Sequence, residues 1–517
     1  MQPYPRRWQA LGVLGLSLLA ITIANTVLNV ALPTIRDELD ATSSQQQWIV
    51  DAYLLVFSGL LLAAGSLGDR FGRRRALVAG LVVFAIGSVC AALSDGATSL
   101  IASRALMGVG GAAIMPTTLS ILTNIFPADE RPRAIAAWAA VSGLGIAFGP
   151  ITGGWLIEHF SWNAIFLVNL PIVAAALIGV VALVPESRDP SPPRLDFAGT
   201  GLSIAGLVAV VWGLIEAPER GWSNPAILAA FAGGVAILAA FVAWERRTDH
   251  PMLDVRVFRN LRFSGASIAI TFVFFALMGV MYLMTTFLQS VMGYSALETG
   301  LRVLAIAAGL ILASRASVVL SRRLGTKIVV AAGLSTVAVG LAMVSRFDLA
   351  ISDLQLATAF VTIGTGIGLA MSPATEAIMG ALPRAKAGTG SAMNDVVREL
   401  GGTLGIAVLG SMLTSSYGSS MDGAVSGLPG GAAEAASDSV GAAHNIGAEM
   451  GGSAGAKLIH LADASFVDAL SSTAMLGAAA AVIGAVIALA FLPSRERGER
   501  PETVGVAGGA LPEAAAA

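Results

Sequence analysis

Charged side chains are scarce in this 517-residue chain: Asp, Glu, Lys and Arg make up 12% of it, against 55% hydrophobic residues. Soluble globular domains carry about a quarter charged residues, so this composition indicates helices immersed in lipid. The mean hydropathy of +0.77 agrees with that interpretation. The formal net charge of -2 shows no basic excess, and no nucleic-acid partner is predicted.

Cysteine and histidine are also nearly absent. Cys90 is the single cysteine, which excludes a disulfide framework and a thiolate metal site. The four histidines are scattered without ligand spacing, so no metal site is predicted. No G-x-x-x-x-G-K-[ST] string occurs, and ATP is therefore not the expected energy source. Since no nucleophile set or cofactor loop emerges either, we predict neither an enzyme nor a cofactor.

Long apolar runs are what the chain does contain. A helix needs about 20 apolar residues to cross the hydrocarbon of a bilayer. The first run is longer than a signal-peptide core and lacks a clear cleavage site, so it is interpreted as an uncleaved helix. Fourteen spans are predicted, at 9–32, 47–68, 76–94, 97–123, 133–157, 164–184, 197–217, 225–244, 264–291, 298–320, 327–345, 354–381, 388–413 and 467–492.

The positions of Lys and Arg give an independent check on this count. With a cytoplasmic N-terminus, 23 of the 31 basic residues fall in cytoplasmic segments, four in external segments and four within spans. Basic residues concentrate on the cytoplasmic side of membrane proteins, and a miscounted span would destroy the bias. Fourteen is even, so both termini are predicted to be cytoplasmic.

The string G-S-L-G-D-R-F-G-R-R-R between spans two and three has the most specific spacing. Its glycines permit a tight turn and close approach of helices. Its aspartate can accept hydrogen bonds from a helix N-terminus or an arginine, and so hold an inner gate shut. The alternative is a basic loop that only fixes topology. The predicted gate residues are Gly65, Gly68, Asp69, Arg70, Gly72 and Arg73.

Three further strings accompany it: Leu100–Ala113 with Arg104 in span four, Gly143–Gly154 in span five, and Asn25–Pro33 in span one. Glycines in span five allow close helix packing, and its proline removes a backbone hydrogen bond. Together these strings resemble those of the major facilitator superfamily, in particular the fourteen-helix drug/proton antiporters of the EmrB/QacA subfamily. Span five then resembles the antiporter motif, with Gly145, Gly149, Pro150, Gly153 and Gly154.

The resemblance implies an all-α polytopic fold of two six-helix bundles with two additional helices between them. The expected division is 1–185 and 251–500 for the bundles, 186–250 for the inserted pair, and 501–517 for a disordered tail. A Gly/Ala-rich external loop is expected at 414–466, either mobile or locally helical. Substrate would bind near the bilayer midplane, between bundles that rock to switch access.

The function implied is proton-coupled export of amphipathic or cationic drugs by a multi-pass protein of the inner membrane. The expected partners are a small amphipathic molecule, protons and the lipid bilayer, with the chain acting as a monomer. Three alternatives stay open: export of one endogenous metabolite or antibiotic, import by symport, and a non-transporting membrane sensor. One departure is notable, because Ala24 occupies the position where the family commonly has an acid.

Ionisable residues inside spans are costly and mark functional sites. Asp51 and Arg104 lie at similar depth from the outer side, so an ion pair between them is feasible. We predict that Asp51 replaces the missing acid and carries the coupled proton. The alternative is a structural ion pair or a helix-capping aspartate.

A second group of ionisable residues lies in the inner halves of spans ten, twelve and thirteen. It could form a proton site, a vestibule that attracts cations, or a salt-bridge gate. In the alternative interpretation, Arg398 only neutralises the acids beside it. The proton-coupling candidates are Asp51, Arg104, Glu376, Asp395 and Glu399, and the substrate-cavity candidates are Thr26, Asn29, Arg315 and Arg398.

Overall fold

The fold was obtained as a computed structural model, which describes residues 4–41, 43–188, 196–248, 251, 253, 255–383, 386–421, 423, 425 and 428–493. The predicted tail 501–517 lies outside these residues. Within them the chain is helical and contains no strand. The α-helices are α1 Arg7–Glu38, α2 Ser43–Phe71, α3 Arg73–Ala92, α4 Ala97–Ile125, α5 Arg131–His159, α6 Ala164–Leu167, α7 Asn169–Leu183, α8 Phe197–Arg220, α9 Pro225–Glu245, α10 Leu261–Thr286, α11 Ala296–Leu324, α12 Thr326–Val344, α13 Asp353–Gly380, α14 Ala387–Met421, α15 Gly430–Asp438, α16 Val440–Met450 and α17 Gly452–Phe491.

Thirteen segments in the described part are long and apolar enough to cross a membrane. They correspond to thirteen of the fourteen predicted spans, with α6 and α7 together forming one of them. The 29-residue helix α5 covers the remaining predicted span, 133–157, but is not among the thirteen. The all-α polytopic architecture is therefore confirmed, while the count of fourteen and the side of the termini stay predictions.

The helices pack in two groups that touch along two seams. Among α1–α7, α1 packs on α5 and α7, and α4 packs on α2 and α3. Among α10–α17, α13 packs on α11 and α12, and α17 packs on α10, α12 and α14. We call these groups the N-terminal half and the C-terminal half. They meet where α5 contacts α11 and where α2 and α4 contact α14.

The helices α8 and α9 form a pair beside one of these seams. They pack against each other, and α8 also contacts α2 and α14, one helix from each half. Near the end of α8, Nε1 of Trp222 donates a hydrogen bond to Oγ of Ser411 on α14, at 3.0 Å. The pair therefore lines the seam between α2 and α14.

The predicted external loop, 414–466, contains helices. α14 continues to Met421, α17 begins at Gly452, and the short helices α15 and α16 lie between them. The hydroxyl of Tyr417 donates to the backbone oxygen of Ala436 at 2.9 Å, and the rings of Phe287 and Phe466 stack with centroids 6.4 Å apart. Alanine is the strongest helix former, so an Ala-rich tract forms helix once such contacts hold it.

Cysteine labelling tests the topology. In a Cys90→Ala background, single cysteines placed between Gly430 and Met450 should react with an impermeant maleimide added outside intact cells. Cysteines beside Arg256 should be protected until the cells are permeabilised, because the fourteen-span order puts that segment inside. The reverse pattern would contradict both the span count and the cytoplasmic position of Asp69.

Candidate functional site

Asp69 joins the two halves at the end of α2. Its Oδ1 accepts hydrogen bonds from the backbone nitrogen of Gly388 at 2.9 Å and from Nε of Arg73 at 2.8 Å. Its Oδ2 accepts from the backbone nitrogen of Thr389 at 3.0 Å. The backbone nitrogens of Gly388 and Thr389 belong to the first turn of α14, where amides lack helical partners and favour a negative charge. Asp69 and Arg73 are both buried, so this contact is shielded from water.

Glycines allow the close approach that this contact requires. A Cβ built on Gly65 would lie 2.6 Å from the backbone oxygen of Gly388, so a side chain there would push α2 and α14 apart. Gly72 has a φ of +113°, which side chains disfavour, and it ends α2 so that α3 can begin at the next residue. Gly68 faces α4, with a built Cβ 3.2 Å from Cγ2 of Thr117. Arg70 lies beside the ring of Phe71.

A corresponding turn occurs in the C-terminal half, with the charge reversed. Gly325 has a φ of +88° and separates α11 from α12, as Gly72 separates α2 from α3. Arg322 lies three residues before Gly325, just as Asp69 lies three residues before Gly72. Nη2 of Arg322 donates to the backbone oxygen of Asp129, two residues before α5 begins, at 2.7 Å. Each half thus presents a charged side chain to the backbone of the other.

The segment before α5 that contacts Arg322 is also bonded to Arg7, at the start of α1. Nε and Nη2 of Arg7 donate to the two carboxylate oxygens of Glu130, both at 2.7 Å. This hydrogen bonding from Arg7 lowers the pKa of the Glu130 carboxyl. The bidentate geometry fixes the start of α5 relative to α1.

The glycines of the span-five motif pack α5 against α1. A Cβ on Gly145 or Gly149 would overlap the hydroxyl of Thr22 or Thr26, and a Cβ on Gly153 would lie 3.1 Å from the backbone oxygen of Val27. Gly154 lies farther along, and a Cβ there would be 3.8 Å from Cβ of Leu297 on α11. The α5 backbone is helical throughout; the side chain of Pro150 lies outside the described residues.

Thr26, one of the predicted substrate-cavity residues, lies in this contact between α1 and α5. Its hydroxyl donates to the backbone oxygen of Thr22 at 2.8 Å and reaches that of Gly145 at 3.3 Å. The structure therefore puts Thr26 in the contact between α1 and α5, and its role in the substrate cavity stays a prediction. The side chain of Asn29 lies outside the described residues.

Arg104 is buried in the N-terminal half, but its partners differ from the predicted one. Nε donates to the backbone oxygen of Ile49 at 3.1 Å, and Nη2 reaches Oδ1 of Asn25 at 3.4 Å. The guanidinium also covers the ring of Tyr53, with Cζ 4.6 Å from the centroid. Asp51, half-buried about two turns into α2, is not among the partners that the described structure gives Arg104. Similar depth did not produce the proposed pair.

The buried charges of α14 form the central cluster. Nη1 of Arg398 lies 3.5 Å from Oδ1 of Asp395, and Nδ2 of Asn394 donates to the same oxygen at 3.3 Å. Cζ of Arg398 lies 4.5 Å from the ring centroid of Phe274 on α10 and 5.0 Å from that of Trp138 on α5. Arg398 thus belongs to the C-terminal half and is held by an aromatic ring from each half.

The other predicted ionisable residues are placed around this cluster. Glu399 follows Arg398 and lies within electrostatic range of Arg398, Asp395 and Tyr53. Glu376 is half-buried on α13, four residues before that helix ends. Arg315 is exposed on α11, and the described structure gives it no ion pair, so it is not part of the cluster. No metal-holding group of His, Cys, Asp and Glu occurs among the described residues.

Comparison with known proteins identifies the family to which this sequence belongs. Residues 14–406 match the Major Facilitator Superfamily. The chain belongs to this superfamily. The resemblance found in the sequence motifs is thereby confirmed, and the protein is a multi-pass transporter of the inner membrane and not an enzyme.

Two curated relatives span nearly the whole chain. The multidrug efflux pump LfrA of Mycolicibacterium smegmatis is 39% identical over 93% of this chain and 96% of its own length. The tetracenomycin C resistance and export protein of Streptomyces glaucescens is 31% identical over 96% of this chain and 93% of its own. Among solved structures, the human organic anion transporter MFSD10 shares the fold, with a TM-score of 0.60, 16% identity, and coverage of 92% of this chain and 99% of its own.

Sequence reasoning did not assign the side chains that contact the two buried arginines. Arg104 is held by Asn25 and Tyr53, and Arg398 by Trp138 and Phe274. Of these side chains, only Asn25 could have been recognised in the sequence, because it is a polar residue within an apolar span, next to Ala24. The aromatic residues carried no such signal, since rings in membrane helices more often pack or face lipid.

Proposed function

We propose that this protein is a proton-driven exporter of amphipathic or cationic organic compounds. The similarity to the multidrug efflux pump LfrA along 93% of the chain carries the proposal. A buried charged cluster in contact with both halves supports it, because such groups inside a membrane protein mark transport pathways. The transporter would act as a monomer in the lipid bilayer.

The working cycle would be alternating access between two bundles, 1–185 and 251–500, with the pair 186–250 beside one seam. The contacts of Asp69 and Arg322 hold the predicted cytoplasmic ends together, so this state would be closed to the cytoplasm. Both contacts must break for substrate to enter from inside. Substrate would then bind between the halves near Arg398 and leave on the outer side.

For the proton, we favour Asp395 among the five coupling candidates. It is buried near the interface between the halves and has one carboxylate oxygen, Oδ2, without a hydrogen-bond partner in the described structure. A free carboxylate oxygen there can take up a proton. Asp51 has a weaker claim because its proposed partner Arg104 is engaged elsewhere.

Dye efflux from everted membrane vesicles tests the function as a whole. Vesicles that contain the protein should accumulate a fluorescent amphipathic cation when the lumen is acidic, and a protonophore should abolish the accumulation. Vesicles without the protein provide the baseline. Uptake that is insensitive to the protonophore would contradict proton coupling, and no uptake of any cationic or amphipathic dye would contradict drug export.

Export of a single metabolite or antibiotic is the second candidate. The tetracenomycin C resistance and export protein, similar along 96% of this chain, favours it. A competition assay separates the two functions: a multidrug exporter should be inhibited by several unrelated amphipathic compounds at similar concentrations. Inhibition by one chemical class alone would favour the second candidate.

The contact of Asp69 with α14 yields a direct prediction. Asp69→Asn should reduce transport at least about tenfold, because an amide binds the α14 amides and Arg73 without the negative charge that strengthens such hydrogen bonds. Protein levels in the membrane should stay normal, since the helix packing remains. Asp95→Asn, at an exposed position in the turn between α3 and α4, is the matched control. Unchanged efflux in Asp69→Asn would show that the loop only fixes topology.

A further inference from the structure

Three polar atoms in the central cluster have no hydrogen-bond partner in the described structure. They are Nε of Arg398, Oδ2 of Asp395 and Oδ1 of Asn394. Their side chains are buried, with 5%, 1% and 0% of each residue exposed. Buried polar atoms are nearly always satisfied, because leaving one unpaired costs free energy. A group that is not part of the chain is therefore expected to satisfy them.

These atoms belong to one site. All three side chains meet at Oδ1 of Asp395, which lies 3.5 Å from Nη1 of Arg398 and 3.3 Å from Nδ2 of Asn394. The rings of Trp138 and Phe274 hold the Arg398 guanidinium from two helices, which fixes the direction of its Nε–H. Trp138 is itself fixed, because its Nε1 donates to Oγ1 of Thr118 at 3.2 Å. Such rigidity is typical of a recognition site.

The chemistry of the three atoms restricts what can bind them. Nε of Arg398 is a donor, whereas Oδ2 of Asp395 and Oδ1 of Asn394 are acceptors. A ligand must therefore accept one hydrogen bond and donate at least one, as a phenol beside a carbonyl or a carboxamide does. A quaternary ammonium or phosphonium can do neither, so it would leave all three atoms without a hydrogen-bond partner.

We propose that Asn394, Asp395 and Arg398 form a subsite for a neutral hydroxyl- or amide-bearing aromatic group of the substrate. Planar rings suit the site, because Trp138 and Phe274 already provide aromatic surface beside it. Permanent cations bind the cavity without using this subsite. This inference rests on the proposed export function and adds a selectivity that the function alone does not imply.

Binding to the purified protein in nanodiscs, without any gradient, tests the subsite. Two probes are compared: 2-naphthamide, a neutral planar carboxamide with a free donor and a free acceptor, and tetraphenylphosphonium, a cation without hydrogen-bonding groups. Asn394→Leu should raise the ratio of the 2-naphthamide Kd to the tetraphenylphosphonium Kd about tenfold, the effect of leaving a buried ligand group unpaired. Asn124→Leu is the matched control and should leave the ratio unchanged, because that amide donates to its own helix at Ser120.

Arg398→Lys provides a second variant in case Asn394→Leu does not fold. It keeps the positive charge but loses the planar guanidinium, so the ratio should rise similarly. A ratio that stays at the wild-type value in folded Arg398→Lys or Asn394→Leu would overturn the subsite. Wild-type protein that binds tetraphenylphosphonium but not 2-naphthamide would also overturn it, while leaving drug export intact. If wild-type protein neither binds nor exports either probe, the proposed function fails first.

Discussion

Asp395→Asn is expected to abolish gradient-driven export while downhill exchange of substrate continues. Asparagine has the same size and can keep the contacts with Asn394 and Arg398, but it cannot carry a proton. In vesicles with a pH difference of about one unit, one coupled proton supplies about 1.4 kcal/mol, enough for tenfold accumulation. The variant should accumulate no substrate above passive equilibration. Counterflow of labelled tetraphenylphosphonium, which does not use the subsite of Asn394, Asp395 and Arg398, should remain without a gradient and would show that the conformational change survives.

Asp51→Asn is the matched comparison, because it makes the same chemical change in the N-terminal half. It should retain uphill export, since the structure gives Arg104 partners other than Asp51. Glu376→Gln should mainly weaken export of cationic substrates. If Asp51→Asn loses uphill export and Asp395→Asn keeps it, the proton belongs to the site first suggested by the sequence, and the assignment to Asp395 is wrong.

Gly149→Ala is expected to destabilise the folded transporter by about 3 kcal/mol, the upper part of the range for overpacked interiors. The added Cβ would lie 2.6 Å from Cβ of Thr26 and would overlap its hydroxyl. Thr26 is β-branched, so its side chain cannot easily rotate away within a helix. The measurement is the thermal midpoint of unfolding in detergent, followed by fluorescence-detected size-exclusion chromatography.

Gly233→Ala is the control for this experiment. A Cβ on Gly233 would meet nothing within 4 Å, so alanine should be neutral or slightly stabilising in α9. Thr26→Gly combined with Gly149→Ala should recover part of the lost stability, because it removes the overlapping atoms. Equal melting temperatures for Gly149→Ala and Gly233→Ala would show that α1 and α5 are farther apart than described.

The membrane fold could be predicted because the length of an apolar run is set by the thickness of the bilayer. The same rule explains where the predicted ends were inaccurate. α17 begins at Gly452 and not near residue 467, and α14 continues to Met421 and not to residue 413. Helices extend beyond the hydrocarbon once they have neighbours to pack on, and hydropathy does not register those turns.

Parts of the site could be predicted to different degrees. The contact between Asp395 and Arg398 lies within one turn of one helix, where sequence spacing determines which side chains are neighbours. Arg104 and Asp51 lie on different helices, and equal depth says nothing about which faces point toward each other. For Asp69, the motif indicated the kind of partner, but only packing of the halves identifies the amides of Gly388 and Thr389.

The contacts of Asp69 and Arg322 each pair a side chain with backbone atoms of the other half. Every residue has the carbonyl group needed at position 129, and every residue except proline has the amide group needed at positions 388 and 389, where position 388 must also be small. Correlated substitutions between the halves therefore carry no signal of these contacts, however many homologous sequences are aligned. For the same reason, chimeras that join the N-terminal half of this transporter to the C-terminal half of a relative should keep the contact of Asp69, and also that of Arg322 where the relative has an arginine at this position.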